Sequence, residues 1–144
     1  MMSPCRLALG YVAGFLAVPL GHQIMLMLLH GIGFTRNAPW NLAPTPPLGV
    51  PVLLSQSFWG GIWGIVFALI EPRLPRNLLA YWISVALFGG VALTAVYVAV
   101  VLPIKGSPPN PEPPLIGLTM GFLVNAAWGV AAALLLKLFS KRSA

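Results

Sequence analysis

Charged side chains are scarce in this sequence, and acids are scarcest of all. Only 7% of its 144 residues are charged, and just two of these are acidic, Glu71 and Glu112. Soluble globular domains carry roughly a quarter charged residues, so this deficit excludes an ordinary soluble domain. The sequence also shows no paired acid and base, no Gly-rich phosphate loop and no nucleophile with a recognisable partner, so we expect no enzymatic activity.

Cysteine is nearly absent as well. Cys5 is the only one in the sequence. A single cysteine excludes an internal disulfide and any zinc or iron–sulfur site built from several cysteines of one chain. We expect Cys5 to be reduced and to lie on the cytoplasmic side.

Apolar residues, in contrast, are abundant. They make up 58% of the chain, and the mean hydropathy is +0.90. A hydrocarbon core about 30 Å thick needs roughly 20 apolar residues in a helix. Four segments meet that length, at about 7–34, 49–70, 78–104 and 115–136. The sequence therefore predicts an all-α integral membrane four-helix bundle in a single domain, 1–144, whose first helix is a retained signal anchor.

The eight basic residues are divided unequally between the two ends of these helices. Six of them flank one side and only Arg36 and Lys105 the other. Because cytoplasmic loops carry the excess of Lys and Arg, both termini are predicted to be cytoplasmic. This distribution explains the net charge of +6 by contacts with membrane lipids, and we expect no nucleic-acid partner.

Small residues recur every fourth position in the second and fourth segments. Such stripes let helix backbones approach closely in lipid, so we expect them to pack the helices together. Trp59 and Trp63, which lie beside the first stripe, are expected to be buried. Looser stripes run through the first segment (Gly10, Gly14, Val18, His22) and the third (Ala86, Gly90, Thr94). The two main stripes are Gln56, Gly60, Gly64 and Ala68, and Gly117, Gly121, Asn125, Gly129 and Ala133.

The two main stripes are also related by a constant offset. "WGIVFALI" from Trp63 and "WGVAAALL" from Trp128 stand 65 positions apart, and the same offset carries Gly64 onto Gly129. The chain is therefore a candidate for two duplicated helical hairpins in parallel orientation, as in transporters with parallel repeats. The first and third segments match poorly, so chance similarity of apolar sequence is the alternative.

Polar residues within the spans fall at one depth. Counted from the outer helix ends, they lie roughly 10–18 Å deep, which predicts a shared polar layer. An ionisable residue inside a membrane is a functional-site hypothesis, whereas the alternative is interhelical hydrogen bonding worth about 0.6–2 kcal/mol per residue. The members of this layer are His22, Gln23, Gln56, Thr94 and Asn125.

A bound metal or haem has weaker support. Met25, Met27 and Met120 could supply soft ligands beside His22. Methionines at this frequency are also ordinary apolar filler, and we expect no metal site and no cofactor.

Several short motifs resemble the pattern of small, uncharacterised four-helix inner-membrane proteins of proteobacteria. They are "HQ" at His22–Gln23, "PW" at Pro39–Trp40, "PPLGVP" at Pro46–Pro51 and "SQSFWGGIWG" at Ser55–Gly64. The resemblance covers roughly the first half of the chain. It implies a multi-pass protein of the bacterial inner membrane and no particular activity.

Two functions follow as alternatives. The first is a non-catalytic structural or accessory component, either a homo-oligomer or the subunit of a partner membrane protein, packed through the small-residue stripes. The second is an oligomeric channel or transporter for a small solute or protons, with His22 as its titrating group and Gln56 and Asn125 as ligands.

Overall fold

Four long helices form the structure, a computed structural model that describes residues 3–106 and 114–142. All four are long and apolar enough to cross a membrane. In chain order they are α1 (Pro4–Gly31), α2 (Val52–Ile70), α3 (Leu78–Ile104) and α4 (Pro114–Arg142). The predicted all-α class with four helices is confirmed. The predicted bounds hold to within a few residues, except that α4 runs six residues beyond the expected end at 136.

The helices begin and end at residues suited to those positions. Ser3 caps α1, its hydroxyl accepting from the Arg6 N–H, and Asn77 caps α3 in the same way through Ala80. These contacts satisfy backbone donors that lack a partner in the first turn. Gly106 follows α3 with a positive φ of 52°, a conformation that glycine adopts without a steric penalty.

The α1–α2 connection is proline-rich, as the sequence indicates, and it contains a small hairpin. Strands β1 (Pro44–Thr45) and β2 (Val50–Pro51) pair antiparallel, with Thr45 opposite Val50. The proline-rich stretch of the sequence between α3 and α4 falls mostly at 107–113, outside the described residues. The α2–α3 connection is a short 3₁₀ turn, Glu71–Arg73.

Two helices contain π-helical segments. One lies in α1 at Val18–His22, and two lie in α3 at Phe88–Leu93 and Tyr97–Val101. Pro19 lacks a backbone N–H, which removes one donor from the α-helical pattern of α1. A π turn adds a residue per turn, so it changes which side chains face a neighbouring helix.

That change of register decides which glycines meet the neighbouring helix. In α3, a Cβ on Gly89 would meet the backbone of Asn125 and Gly129, whereas one on Gly90 would meet the Phe122 ring. The backbone contact of α3 with α4 is therefore at Gly89, one residue before Gly90, which is the stripe position expected from regular helical spacing. In α1, likewise, a Cβ on Gly21, one residue before the stripe position His22, would meet Ala127 and Ala131 of α4.

The core lies in three levels along the helices. At the end that carries the chain termini, buried Phe67, Tyr81 and Leu136 pack together. The middle level is centred on Trp128, which is 1% exposed. At the loop end, Leu26, Leu29 and Val124 join α1 to α4.

The two tryptophans expected to be buried in α2 have different environments. Trp63 is half-buried and lies edge-on to Phe88, with ring centroids 6.1 Å apart. Trp59 is 59% exposed, so the expectation that it is buried was wrong. Its ring lies edge-on to Phe58, with centroids 5.5 Å apart.

Candidate functional site

Gln23 is the centre of a hydrogen-bonded cluster between α1, α2 and the loop that joins them. Its side chain is 2% exposed. Its amide nitrogen donates to the Gln56 side-chain oxygen at 2.8 Å, and its amide oxygen accepts from the backbone N–H of Trp40 at 2.7 Å. Because a backbone N–H can only donate, this contact fixes the orientation of the amide. We call His22, Gln23, Trp40 and Gln56 the loop-side cluster.

The same amide also contacts the side chain of His22. The Gln23 amide nitrogen lies 3.3 Å from His22 Nδ1. An amide nitrogen has no acceptor lone pair, so this contact is a hydrogen bond in the tautomer of His22 that carries its proton on Nε2. Protonation of Nδ1 would break this bond.

Trp40 covers the cluster from the loop. Its indole N–H donates to the Pro19 carbonyl, within the π segment of α1, at 3.2 Å. Its backbone has a φ of 47°, a left-handed conformation that is uncommon and costs about 1 kcal/mol or more for a residue with a side chain. The hydrogen bonds to Gln23 and Pro19 offset this strain. The "PW" motif did not predict this role for Trp40, because no local pattern indicates that the loop folds back onto α1.

Thr94 and Asn125 form a second, separate pair between α3 and α4. The Asn125 amide donates to the Thr94 hydroxyl at 2.9 Å, and Gly121 lies beside the Thr94 side chain. The five polar residues expected in one layer thus lie in two groups, one in each pair of consecutive helices. Apolar Leu26, Leu29 and Val124 fill the contact between α1 and α4 at the loop end.

The glycines of the predicted stripes lie mostly at helix contacts. Gly64 faces Gly10 and Gly14 of α1, and Gly60 faces Gly14 and the Val18 side chain. In α4, Gly129 approaches Val85 and Gly89, and Gly121 approaches Thr94. Gly117 lies in the first turns of α4 and is partly exposed. The Trp128 indole, buried between the helices, donates to the Gly14 carbonyl at 2.9 Å.

A second polar group, which no pattern in the sequence predicted, joins all four helices near the chain termini. Arg6 of α1 forms a salt bridge of 2.7 Å with Glu71, and the Tyr81 hydroxyl of α3 donates to the same carboxylate at 3.0 Å. The Lys137 ammonium of α4 lies 3.7 Å from the centroid of the Tyr81 ring. We call these four residues the termini-side cluster. Glu71 is the residue of the sequence that could have indicated this cluster, because a lone carboxylate at the end of a membrane helix needs a cationic partner.

Glu71 could have been assigned to the wrong arginine from sequence alone. Arg73, two residues away, instead donates to the Leu69 carbonyl at 2.8 Å. The carboxylate reaches Arg6, which is distant in sequence, because α1 and α2 pack closely through Gly10, Gly14 and Gly64.

Of the residues considered as metal ligands, Met25 and Met120 pack against the apolar cluster of Leu26, Leu29 and Val124. Met120 sulfur accepts from the Asn37 amide at 3.4 Å, and Met27 is exposed. His30 Nδ1 lies 3.2 Å from the Thr35 carbonyl. Within residues 3–106 and 114–142, no three His, Cys, Asp or Glu side chains come together in a group that could hold a metal ion.

Comparisons with known proteins give no relative from which to assign a function. No protein-family model, no curated protein and no solved structure matches this chain.

Proposed function

We propose that this chain is a multi-pass protein of the bacterial inner membrane with a non-catalytic structural or accessory role, acting as a homo-oligomer or with a partner membrane protein. The observation that carries the proposal is the pairing of its intramembrane polar groups with each other. Gln23 uses both ends of its amide on Gln56 and Trp40, and Asn125 uses its amide on Thr94. Polar side chains that stabilise helix contacts are paired in this way, whereas side chains that bind a solute need free donors or acceptors.

The proposed arrangement places both termini in the cytoplasm. Six of the eight basic residues belong to the end at which α1 begins and α4 finishes, which supports this orientation by the positive-inside rule. In that orientation the loop-side cluster is nearer the periplasmic surface, and the termini-side cluster is at the cytoplasmic surface.

The proposal includes an origin from two duplicated hairpins. In the first hairpin, Gly14 faces the carbonyl of Gly60 and the Cα of Gly64. In the second, Gly89 faces the carbonyl of Asn125 and the Cα of Gly129. The α2 and α4 positions differ by the same 65 residues that relate the two tryptophan motifs, so an offset found in sequence recurs in the packing of the hairpins.

The alternative is an oligomeric channel or transporter for a small solute or protons. One observation favours it: the Pro19 carbonyl and the Gln23 amide are covered by Trp40, a residue of a loop and not of a helix. Loops open more readily than packed helices. Movement of Trp40 would expose the Pro19 carbonyl and the Gln23 amide together.

His22→Leu in proteoliposomes distinguishes the two functions. The structural role predicts a modest loss of stability, about 0.6–2 kcal/mol, and no change in permeability, because a hydrogen bond is lost but no path is blocked. The transport role predicts flux in the wild type that the variant abolishes. The measurement is flux of protons and of a panel of small ions, with empty vesicles as the baseline.

Native mass spectrometry from mild detergent supplies the complementary test. A bare chain, or an oligomer that carries lipid only, is expected for the structural role. A defined oligomer with a stoichiometric adduct other than lipid would overturn it and identify the ligand of the polar residues.

A further inference from the structure

An open cavity of about 430 Å³ lies against the termini-side cluster. It is lined by Arg6, Glu71, Leu136, Lys137, Ser140 and Lys141. Three of these side chains are cationic and one is a carboxylate, so the lining carries two excess positive charges. The cavity is therefore suited to an anion.

Two of the three cations of this cavity, Arg6 and Lys137, are held in place by the protein. Arg6 Nη2 donates to the Glu71 carboxylate, and its Nε donates to the Ala68 carbonyl at 3.3 Å. These two contacts fix the orientation of the guanidinium, and Nη1 takes part in neither of them. Lys137 is held over the Tyr81 ring and also lies 5.6 Å from the Trp82 centroid. Positioned cations lose less side-chain entropy on binding than free ones, so this end of the molecule is preorganised for an anion.

Phosphate oxygens match the remaining groups. Guanidinium and ammonium groups donate several hydrogen bonds to phosphate, and the Ser140 hydroxyl adds another donor. The wall also contains apolar Leu136, and Tyr81 and Trp82 lie next to it, as aromatic rings do at the level of lipid headgroups. A ligand with a phosphate and an adjoining apolar part fits this combination better than a free ion.

We propose that this cavity binds the phosphate of an anionic phospholipid headgroup, through Arg6, Lys137, Ser140 and Lys141. The inference rests on the proposed function in one respect, since it requires that this end of the helices lie at a membrane surface. Glu71 remains paired with Arg6 and orients it. Lys137 and Lys141, which have no carboxylate partner among the contacts described above, supply the charge that selects an anionic headgroup.

The test is lipid binding to the delipidated full chain in detergent, followed by native mass spectrometry. The probes are dioctanoyl phosphatidylglycerol, dioctanoyl phosphatidylcholine and sodium phosphate. We expect the wild type to retain phosphatidylglycerol in preference to phosphatidylcholine. The affinity should fall about five-fold for each lysine replaced, which corresponds to about 1 kcal/mol for each cation near an anionic surface.

The variants are chosen to separate charge from folding. Lys137→Gln with Lys141→Gln removes both lysines, and Lys141→Gln alone leaves the contact of Lys137 with Tyr81 intact. Arg76→Gln is the matched control, because Arg76 is an exposed basic residue in the α2–α3 connection and does not line the cavity. Replacement of both lysines by arginine should restore binding.

Equal retention of the two lipids by the wild type would overturn the proposal. So would an equal loss of phosphatidylglycerol in Lys141→Gln and Arg76→Gln. If sodium phosphate displaces the lipid at a similar concentration, the cavity does bind phosphate, but the proposal that this phosphate belongs to a lipid is overturned. Ion flux in proteoliposomes would overturn the structural role without changing any of these results.

Discussion

At the scale of single residues, Gln23 joins more of the molecule than any other side chain of the loop-side cluster. It contacts α2 through Gln56, the loop through Trp40 and its own helix through His22. Gln23→Leu would keep the approximate volume but leave the Trp40 N–H and the Gln56 oxygen without their partner. We expect a loss of about 1–3 kcal/mol in the free energy of unfolding, the cost of leaving buried polar groups unsatisfied, measured by reversible unfolding in mixed micelles.

Thr94→Val is the control at the same scale. It removes one hydrogen bond, to Asn125, at a position that is also buried. A single interhelical hydrogen bond in a membrane protein contributes about 0.6 kcal/mol on average, so Thr94→Val should cost less than Gln23→Leu. Equal losses for the two variants would contradict the central position of Gln23.

At the scale of helices, α1 and α2 approach so closely that their contact allows no side chain. A Cβ on Gly64 would lie 2.8 Å from the Cα of Gly14 and 2.9 Å from its nitrogen. Gly64→Ala must therefore push the helices apart, and we expect a loss of about 1–3 kcal/mol in unfolding free energy, as for other overpacked sites. Gly129→Ala should cost less, because its Cβ would meet only one backbone atom closer than 3 Å, the Val85 oxygen at 2.7 Å, whereas its distances to Gly89 would be 3.4 and 3.5 Å.

Gly31→Ala provides a control for helix propensity. Gly31 is helical, and a Cβ there would have nothing within 4 Å. Alanine is a better helix former than glycine, so this variant should change stability by no more than about 1 kcal/mol, and in the favourable direction. If Gly64→Ala were as stable as Gly31→Ala, close packing would not explain the glycines of α2.

At the scale of the whole molecule, the charges are segregated to one end, and this predicts the orientation. Cys5 is exposed at that end and is the only cysteine of the chain. A membrane-impermeant maleimide should therefore leave Cys5 unmodified in intact spheroplasts and modify it once the membrane is opened. The readout is the mass of the labelled chain.

The control for orientation uses the opposite end. Leu48 is 84% exposed in the α1–α2 loop, so Leu48→Cys in a Cys5→Ser background should react in intact spheroplasts. Labelling of Cys5 from outside would reverse the proposed orientation. It would also move the cavity of the termini-side cluster to the periplasmic surface.

The sequence by itself was enough to predict the class, the four helices and their approximate bounds. These depend on the length of apolar runs, on proline at helix boundaries and on composition, all of which are local properties. The positions of Gly60 and Gly64 at a helix contact also follow local spacing, because every fourth residue of a regular helix lies on one face.

Only the tertiary structure decided which polar groups meet. The sequence did not indicate the π segments of α1 and α3, which change the residues that face a neighbouring helix. It also did not indicate the path of the loop, which brings Trp40 into contact with Pro19 and Gln23. For the same reason, the pairing of Arg6 with Glu71 could not be read from the chain. Contacts between residues far apart in sequence depend on how the helices approach one another, and that approach is set by packing in three dimensions.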